Sequence, residues 1–344
     1  PYGEPKYFDE LKKVILFKDN GLFELNTKYF THAKEGVTMS WENGDPFIES
    51  IFSKELENLL GPARQKEDEL TQYHKDIATS VQRVTEELIF HILNHLQKRT
   101  GLENICIAGG VAQNSVANGK ILEKTTFKNV YIPSAGHDAG TALGGALWLY
   151  NHILEKDRLP AIYDAYTGAK FSTEEIEVVL KAENITYDKY DDDQLIEVVS
   201  DALVDGKVIG WFQGRADVGP RALGHRSIIV DPRRNDAKEL LNSKIKRRES
   251  FRPFAPSILE EYVSEYFEKT DKVPFMEKVY PIKKEKHAEI PSVTHVDGSG
   301  RLQSVAKGDR YYDLIEKFRQ KTGTPVLLNT SFNENEPIVN TPKE

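Results

Sequence analysis

Hydrophobic residues between positions 77 and 96 recur at the spacing of one helical face. Val84, Leu88, Ile92 and Leu96 stand four apart, with Ile77 and Val81 before them. Side chains so spaced share one side of an α-helix. The pattern predicts one long amphipathic helix over residues 62–100, stopped by Gly101. The period then changes. "NICIAGG" reads as a short buried strand ending at a glycine pair, and residues 114–122 as a following helix. "NVYIP" is another strand, and "AGTALGGALWLYNHIL" a helix whose small residues permit close packing. Strand, glycine turn, helix, strand, helix is the order of an α/β layer with parallel pairing.

Residues 154–171 lose this periodicity and contain Pro160 and Gly168, which places a domain boundary there. The expected domains are residues 1–160 and 170–344. Ser172 and Glu175 form a capping box that opens a new helix. Beyond it come a strand at "ITYDKY", a helix at "DQLIEVVSDALVDG", strands at "KVIGWF", "RSIIV" and "APSIL", and a helix at "NDAKELLNSKI". Strands over 275–281 and 325–329 and a helix over 311–322 complete the pattern. Strands and helices mixed without strict alternation suggest an α+β domain. The expected fold class is therefore α/β followed by α+β.

The 344 residues, 39% hydrophobic and 29% charged, suit two globular domains. No apolar run approaches the roughly 18 residues needed to span a bilayer, and no secretory signal opens the chain, so a cytoplasmic protein without a membrane partner is expected. The single cysteine, Cys106, excludes an intramolecular disulfide framework. Lying within "ICIA", it reads as an inert core residue. The chain opens on "PYGEP" without Met and stops at "PIVNTPKE", so a fragment is expected. Oligomeric state is unreadable, and a homodimer is compatible with the sequence.

Charge distribution says more than its sum. The formal net charge is −8, which argues against nucleic-acid binding over the whole surface. Yet residues 207–254 hold twelve lysines and arginines against five acidic residues. Within them, "GWFQGRADVGPRALGHRSIIVDPRR" carries five arginines and no lysine. Arginine grips phosphate and carboxylate oxygens bidentately and keeps its charge, so the cluster points to geometric recognition of an anion. Gly214, Gly219 and Gly224 let that loop fold close around something small. "KIKRRESFRPFAP" adds Lys244, Lys246, Arg247, Arg248 and Arg252. "GSGRLQSV" and "LLNTSFN" add Arg301 and the neutral donors and acceptors of Asn329, Thr330 and Ser331.

Other groupings are weaker. "IAGGVAQNS" sets Gly109 and Gly110 between a strand and a helix, where a phosphate or ribose can approach the backbone, although tight packing also explains it. Asp138, in "SAGHDAGTALGG", stands at the carboxyl end of a strand, where it can cap the helix or ligate a divalent metal. His91 and His95 have metal-pair spacing, but no nearby carboxylate completes a ligand set, so they read as packing histidines. "YDDD" near 190 reads as a solvated turn at a helix start.

Together "PYGEP", "AGGVAQNS", "GHDAGTALGGAL", "GRADVGPRALGHRSI", "IKRRESFRPFAPSI" and "LLNTSFNENEPIV" resemble the O-carbamoyltransferases of the nodulation-protein and antibiotic-tailoring family. The resemblance implies a partial actin/Hsp70-like lobe followed by a YrdC-like α+β domain. It implies formation of carbamoyl-adenylate from ATP and carbamoyl phosphate, then transfer of the carbamoyl group to a hydroxyl of a small acceptor. By motif position, Arg221, Lys246 and Arg252 would hold carbamoyl phosphate, and Arg301, Asn329 and Ser331 the nucleotide. Gly109, Gly110 and Asn114 would line the first module's nucleotide cleft, with Asp138 its ligand for magnesium or iron. Members of that family carry an earlier lobe with a His-x-x-x-His metal pair, and nothing equivalent precedes Pro1. The expectation is thus a chain that makes or hydrolyses carbamoyl-adenylate but transfers poorly.

Two other readings are weighed. Synthesis of tRNA threonylcarbamoyl-adenosine would use threonine and bicarbonate, so carbamoyl phosphate would not stimulate it. A non-catalytic RNA-binding module would interleave aromatic residues among Arg215, Arg221 and Arg226, which this chain does not.

Overall fold

The computed structural model describes every residue except Asn43, Lys66 and Ala161. Lys66 falls within the expected long helix and Ala161 within the expected boundary segment. Both lie outside the described residues. The chain is mixed α/β, with helices and several small sheets. It forms two compact units, one of Pro1–Asn104 with Ile121–Asn129, the other of Ile105–Lys120 with Val130–Glu344.

In the first unit the long helix, α1, runs Gln72–Thr100, ten residues shorter at its start than its apolar spacing predicts. The reason is local hydrogen bonding. Pro62 follows Gly61, the Asp68 carboxylate accepts the Gln65 N–H at 2.8 Å, and Thr71 with His74 forms a capping box that starts the helix afresh. Gly101, at φ 69°, ends it as predicted. Val84 is buried with Leu11, Val14 and Tyr29. The N-terminal strap is tied down by polar groups of α1: the Glu4 N–H donates to Asp76 Oδ1 at 2.9 Å and the Tyr7 N–H to Ser80 Oγ at 3.0 Å. His91 is a packing residue, its Nε2 2.9 Å from the Lys18 carbonyl and its ring tilted on Phe17. His95 fills the space beside Gly21.

The second unit holds a five-stranded sheet of β1 (Ile209–Phe212), β2 (Arg226–Val230), β3 (Ala255–Leu259), β4 (Gln303–Val305) and β5 (Val326–Ser331). Their order is β4-β3-β5-β2-β1, antiparallel except for β4 beside β3. All five residues of β2 and of β3 are buried, as expected of central strands covered on both faces. Alternation divides the core: Ile228, Val230, Val326 and Leu328 pack to one side, Ile229 and Leu327 to the other. Leu203, Phe318 and Tyr311 cover the second side, from α2 (Asp192–Val204) and α3 (Arg310–Thr322).

The Ser172–Glu175 capping box forms with both of its bonds, at 2.7 and 3.2 Å. "YDDD" is the solvated start of α2, with Asp191 Oδ1 accepting the Gln194 N–H at 2.8 Å. "ITYDKY" is exposed and forms no strand, because no neighbour offers it a ladder. The strand expected over 275–281 shrinks to Tyr280–Pro281. The helix expected over 114–122 breaks at Gly119, whose backbone presses against the Val279 carbonyl. Cys106 corrects the core reading, since its side chain is exposed. Partial burial still pushes its thiol pKa up, which keeps it a poor nucleophile.

Candidate functional site

The arginine-rich stretch folds into a loop between β1 and β2, and most of its arginines build the loop itself. Arg226, 1% exposed, stacks on the Phe212 ring at 3.6 Å. Its guanidinium donates to the carbonyls of Gln213, Gly214, His225 and Ala169. Arg215 donates to the Gly168 carbonyl at 3.0 Å. Arg233 pairs with Asp231, and Arg234 with Asp236. Asp217 closes the loop from inside, accepting the N–H groups of Leu223 at 2.9 Å and Arg226 at 3.0 Å. Gly224, at φ 106°, lies flat against the Tyr311 ring, where no side chain fits.

Arg221 alone of the five has neither a hydrogen bond nor an ion pair among the described residues, although burial lowers its pKa. Arg301 arrives from the segment between Ser299–Gly300 and β4, partly buried, with its Nε enclosed and without a hydrogen-bond partner among the described residues. Burial, then the charges of Arg221 and Arg248, push its pKa down to about 9. Arg248 is the third member, half held by Asn242 Oδ1 at 2.8 Å and leaning over the Phe254 ring at 4.9 Å. Burial, and then Arg252, lower its pKa too. Three guanidinium groups close enough to repel, none with an ion-pair partner among the described residues, form a cationic cluster that suits an anion.

Lys246 borders the group. Only 2% exposed, its Nζ donates to the Ser331 carbonyl at 2.6 Å and Oγ at 3.1 Å, and to the Asn333 carbonyl at 2.7 Å and Oδ1 at 2.8 Å. Burial, helped by Arg248, pushes its pKa down to about 8. Ser331 is thereby joined to the cationic cluster through the lysine. Asn329 sits in β5 with its Nδ2 3.1 Å from the carbonyl of Ala222, the residue after Arg221, while its Oδ1 is buried without a partner. Arg252 stands apart. About half exposed, it pairs with Glu249 at 2.8 Å and touches the group only through its field on Arg248.

The glycine-turn residues form a separate locality in the same unit. Gly109, at φ 106°, and Gly110 face open space. Asn114 Oδ1 caps the turn by accepting the Ala117 N–H at 3.1 Å. The Asp138 side chain is exposed and caps nothing; His137 Nδ1 accepts the Ala139 N–H at 3.3 Å in its place. Among the described residues no group of three or more His, Cys, Asp or Glu side chains is placed to hold a metal.

Sequence reasoning named Arg248 only as one basic residue among five, and it passed over His295. His295 Nε2 is buried without a partner, its Nδ1 lies 3.2 Å from Ser299 Oγ, and burial lowers its pKa to about 4, so the ring stays neutral beside Arg301. No signal short of the fold identifies it.

These features define a mixed α/β protein whose larger unit carries a cluster of arginines without ion-pair partners among the described residues. The chain belongs to the carbamoyltransferase family: residues 1–147 match the model of the carbamoyltransferase N-terminus and residues 200–344 that of the C-terminus. It is 42% identical to the nodulation protein NolO of Bradyrhizobium diazoefficiens, over 81% of this chain and 54% of that protein. An uncharacterised Synechocystis protein is 42% identical over 100% of this chain and 59% of its own length. The nodulation protein U of B. diazoefficiens is 32% identical over 79% of this chain and 45% of its own. The chain thus spans about half the length of the curated relatives it matches. Among the described residues no helix is long and apolar enough to cross a membrane.

Proposed function

We propose that this chain is the part of an O-carbamoyltransferase that activates carbamoyl phosphate with ATP. The carrying observation is Arg301, partly buried with its Nε enclosed and unpartnered, within the field of Arg221 and Arg248. Burying guanidinium groups without counter-charge is costly unless a ligand supplies the charge, and phosphate matches their fork geometry.

In this reading Arg221, Arg301 and Arg248 hold the phosphate oxygens. Carbamoyl phosphate takes up water and loses phosphate, and a carbamate oxygen attacks the α-phosphorus of ATP, expelling pyrophosphate. Both leaving groups gain negative charge as their bonds break, and fixed guanidinium groups stabilise that charge without reorganising. An acceptor hydroxyl then attacks the carbamoyl carbon of the adenylate and releases AMP. Lys246 holds Ser331, and Asn329 offers its unpartnered Oδ1 to a ribose hydroxyl or an amide. Arg252, on the rim, contributes field rather than contact. The two modules would be an actin/Hsp70-like lobe over residues 1–160, with Gly109, Gly110 and Asn114 lining a nucleotide cleft, and a YrdC-like domain over residues 170–344. Asp138 is the family's metal position, but one exposed carboxylate does not form a metal site, so no step is routed through a metal. One exposed, unpaired cysteine fits a reducing cytoplasm.

The test follows pyrophosphate and AMP released from ATP, with and without carbamoyl phosphate, in the native chain and in Arg221→Ala. Release that depends on carbamoyl phosphate and is lost in the variant is expected. Release indifferent to carbamoyl phosphate would remove the reading.

A further inference from the structure

Both ring nitrogens of His225 meet acceptors. Nδ1 lies 2.7 Å from the Arg215 carbonyl oxygen, and Nε2 lies 2.9 Å from Asp309 Oδ2. The ring is buried and stacked on Tyr166, with centroids 3.5 Å apart and planes 4° from parallel. A neutral imidazole has one N–H, so it would press a lone pair against either the carbonyl or the carboxylate. Only the imidazolium donates to both.

We propose that His225, as an imidazolium, is a positioning residue that ties the Arg215 end of the arginine loop to Asp309 and so holds Arg221 at the anion pocket. The inference rests on the reading of that pocket given under Proposed function. The loop that carries Arg221 is anchored at two places. Asp217 secures its far end through Leu223 and Arg226, and His225 secures its near end through the Arg215 carbonyl. Asp309 is a firm post, because it is the N-cap of α3, accepting the Tyr311 N–H at 2.8 Å, and it also takes Gln213 Nε2 at 2.8 Å.

The surroundings suit a cationic ring. Burial raises the Asp217 pKa, and the His225 charge acts against that rise. Burial would also raise that of Asp309, but the hydrogen bond from His225 holds it below the usual range. From α3, Tyr311 and Asp313 lie within reach of Asp309. The Tyr166 hydroxyl is turned away, donating to the Leu223 carbonyl at 2.8 Å. Arg226 donates to the carbonyl of His225 itself, and the Arg215 guanidinium points to Gly168. No other cation competes with the ring for Asp309 among these groups. Loss of either ring hydrogen bond would break an anchor and loosen the loop, with Arg221 on it.

The experiment uses the full chain with isotope-labelled histidine, the His225 signals being assigned by their absence in His225→Gln. Sulfate is the binding probe, titrated into the native chain and the variants at one fixed pH. An N–H on each ring nitrogen of His225 is expected in the native chain. His225→Gln and Asp309→Asn should each bind sulfate about tenfold more weakly. A ring with a single N–H, or native affinity in the folded variants, overturns the proposal. If the native chain binds no sulfate, the pocket reading falls and the ring signal alone decides. If a variant does not fold, the native ring signal still decides.

Discussion

Arg301 lies within the field of Arg221, its Nε buried, and neither guanidinium has an ion-pair partner among the described residues. Charge held in that way weakens the fold unless an anion offsets it.

The first prediction separates stability from function. Arg301→Met should raise the melting temperature by a few degrees, on the order of 1 kcal/mol, by removing an uncompensated buried charge. The same variant should lose activity that depends on carbamoyl phosphate by roughly 100-fold. Differential scanning calorimetry and pyrophosphate release check the two halves. Lower stability together with full activity would contradict both.

Lys246 supplies a pH dependence. With its folded pKa pushed by burial down to about 8, well below the ordinary lysine range, the lysine discharges on alkalinisation while it would still be charged in the unfolded chain. Its burden on stability is therefore full below pH 8 and is relieved as the pH rises from about 8 toward the unfolded value. Anion affinity should move the opposite way, weakening above about pH 8. Lys246→Arg should keep its charge and remove that limb of the binding curve, as calorimetric titration of phosphate would show.

Arg252 tests the extent of the site. Being half exposed and paired with Glu249, it should matter far less than Arg221. Arg252→Ala should weaken phosphate binding by about threefold and Arg221→Ala by roughly 100-fold. Equal losses would place Arg252 in direct contact with the ligand.

The loop scaffold can be tested without reference to chemistry. Arg226→Ala removes a buried guanidinium that donates to four carbonyls, of which those of His225 and Ala169 keep a backbone N–H, and should destabilise the larger unit by about 3 kcal/mol. Gly224→Ala places a methyl group into the Tyr311 ring on a backbone at φ 106° and should cost at least about 2 kcal/mol. Urea denaturation measures both. A neutral effect at Gly224 would show that the loop is free to shift.

Local patterning was enough for the pieces that depend on neighbours in sequence. The capping box at Ser172, the strands at "RSIIV" and "APSIL" and the glycine stop at Gly101 form as read, because caps, periodicity and positive φ are decided within a few residues. The start of α1 was misread because apolar spacing says nothing of the Asp68 turn and Thr71 cap that preclude helix before Gln72. Composition likewise showed that arginines gather between residues 215 and 252, but not which of them bind. Arg226 and Arg221 are five residues apart and chemically alike. Arg226 spends its donors on three carbonyls of its own loop and on that of Ala169, and Arg221 has no hydrogen bond among the described residues. That division depends on where residues 165–169, α3 and the Arg301 segment pack, which are contacts across 40 to more than 80 positions of sequence that only folding brings together.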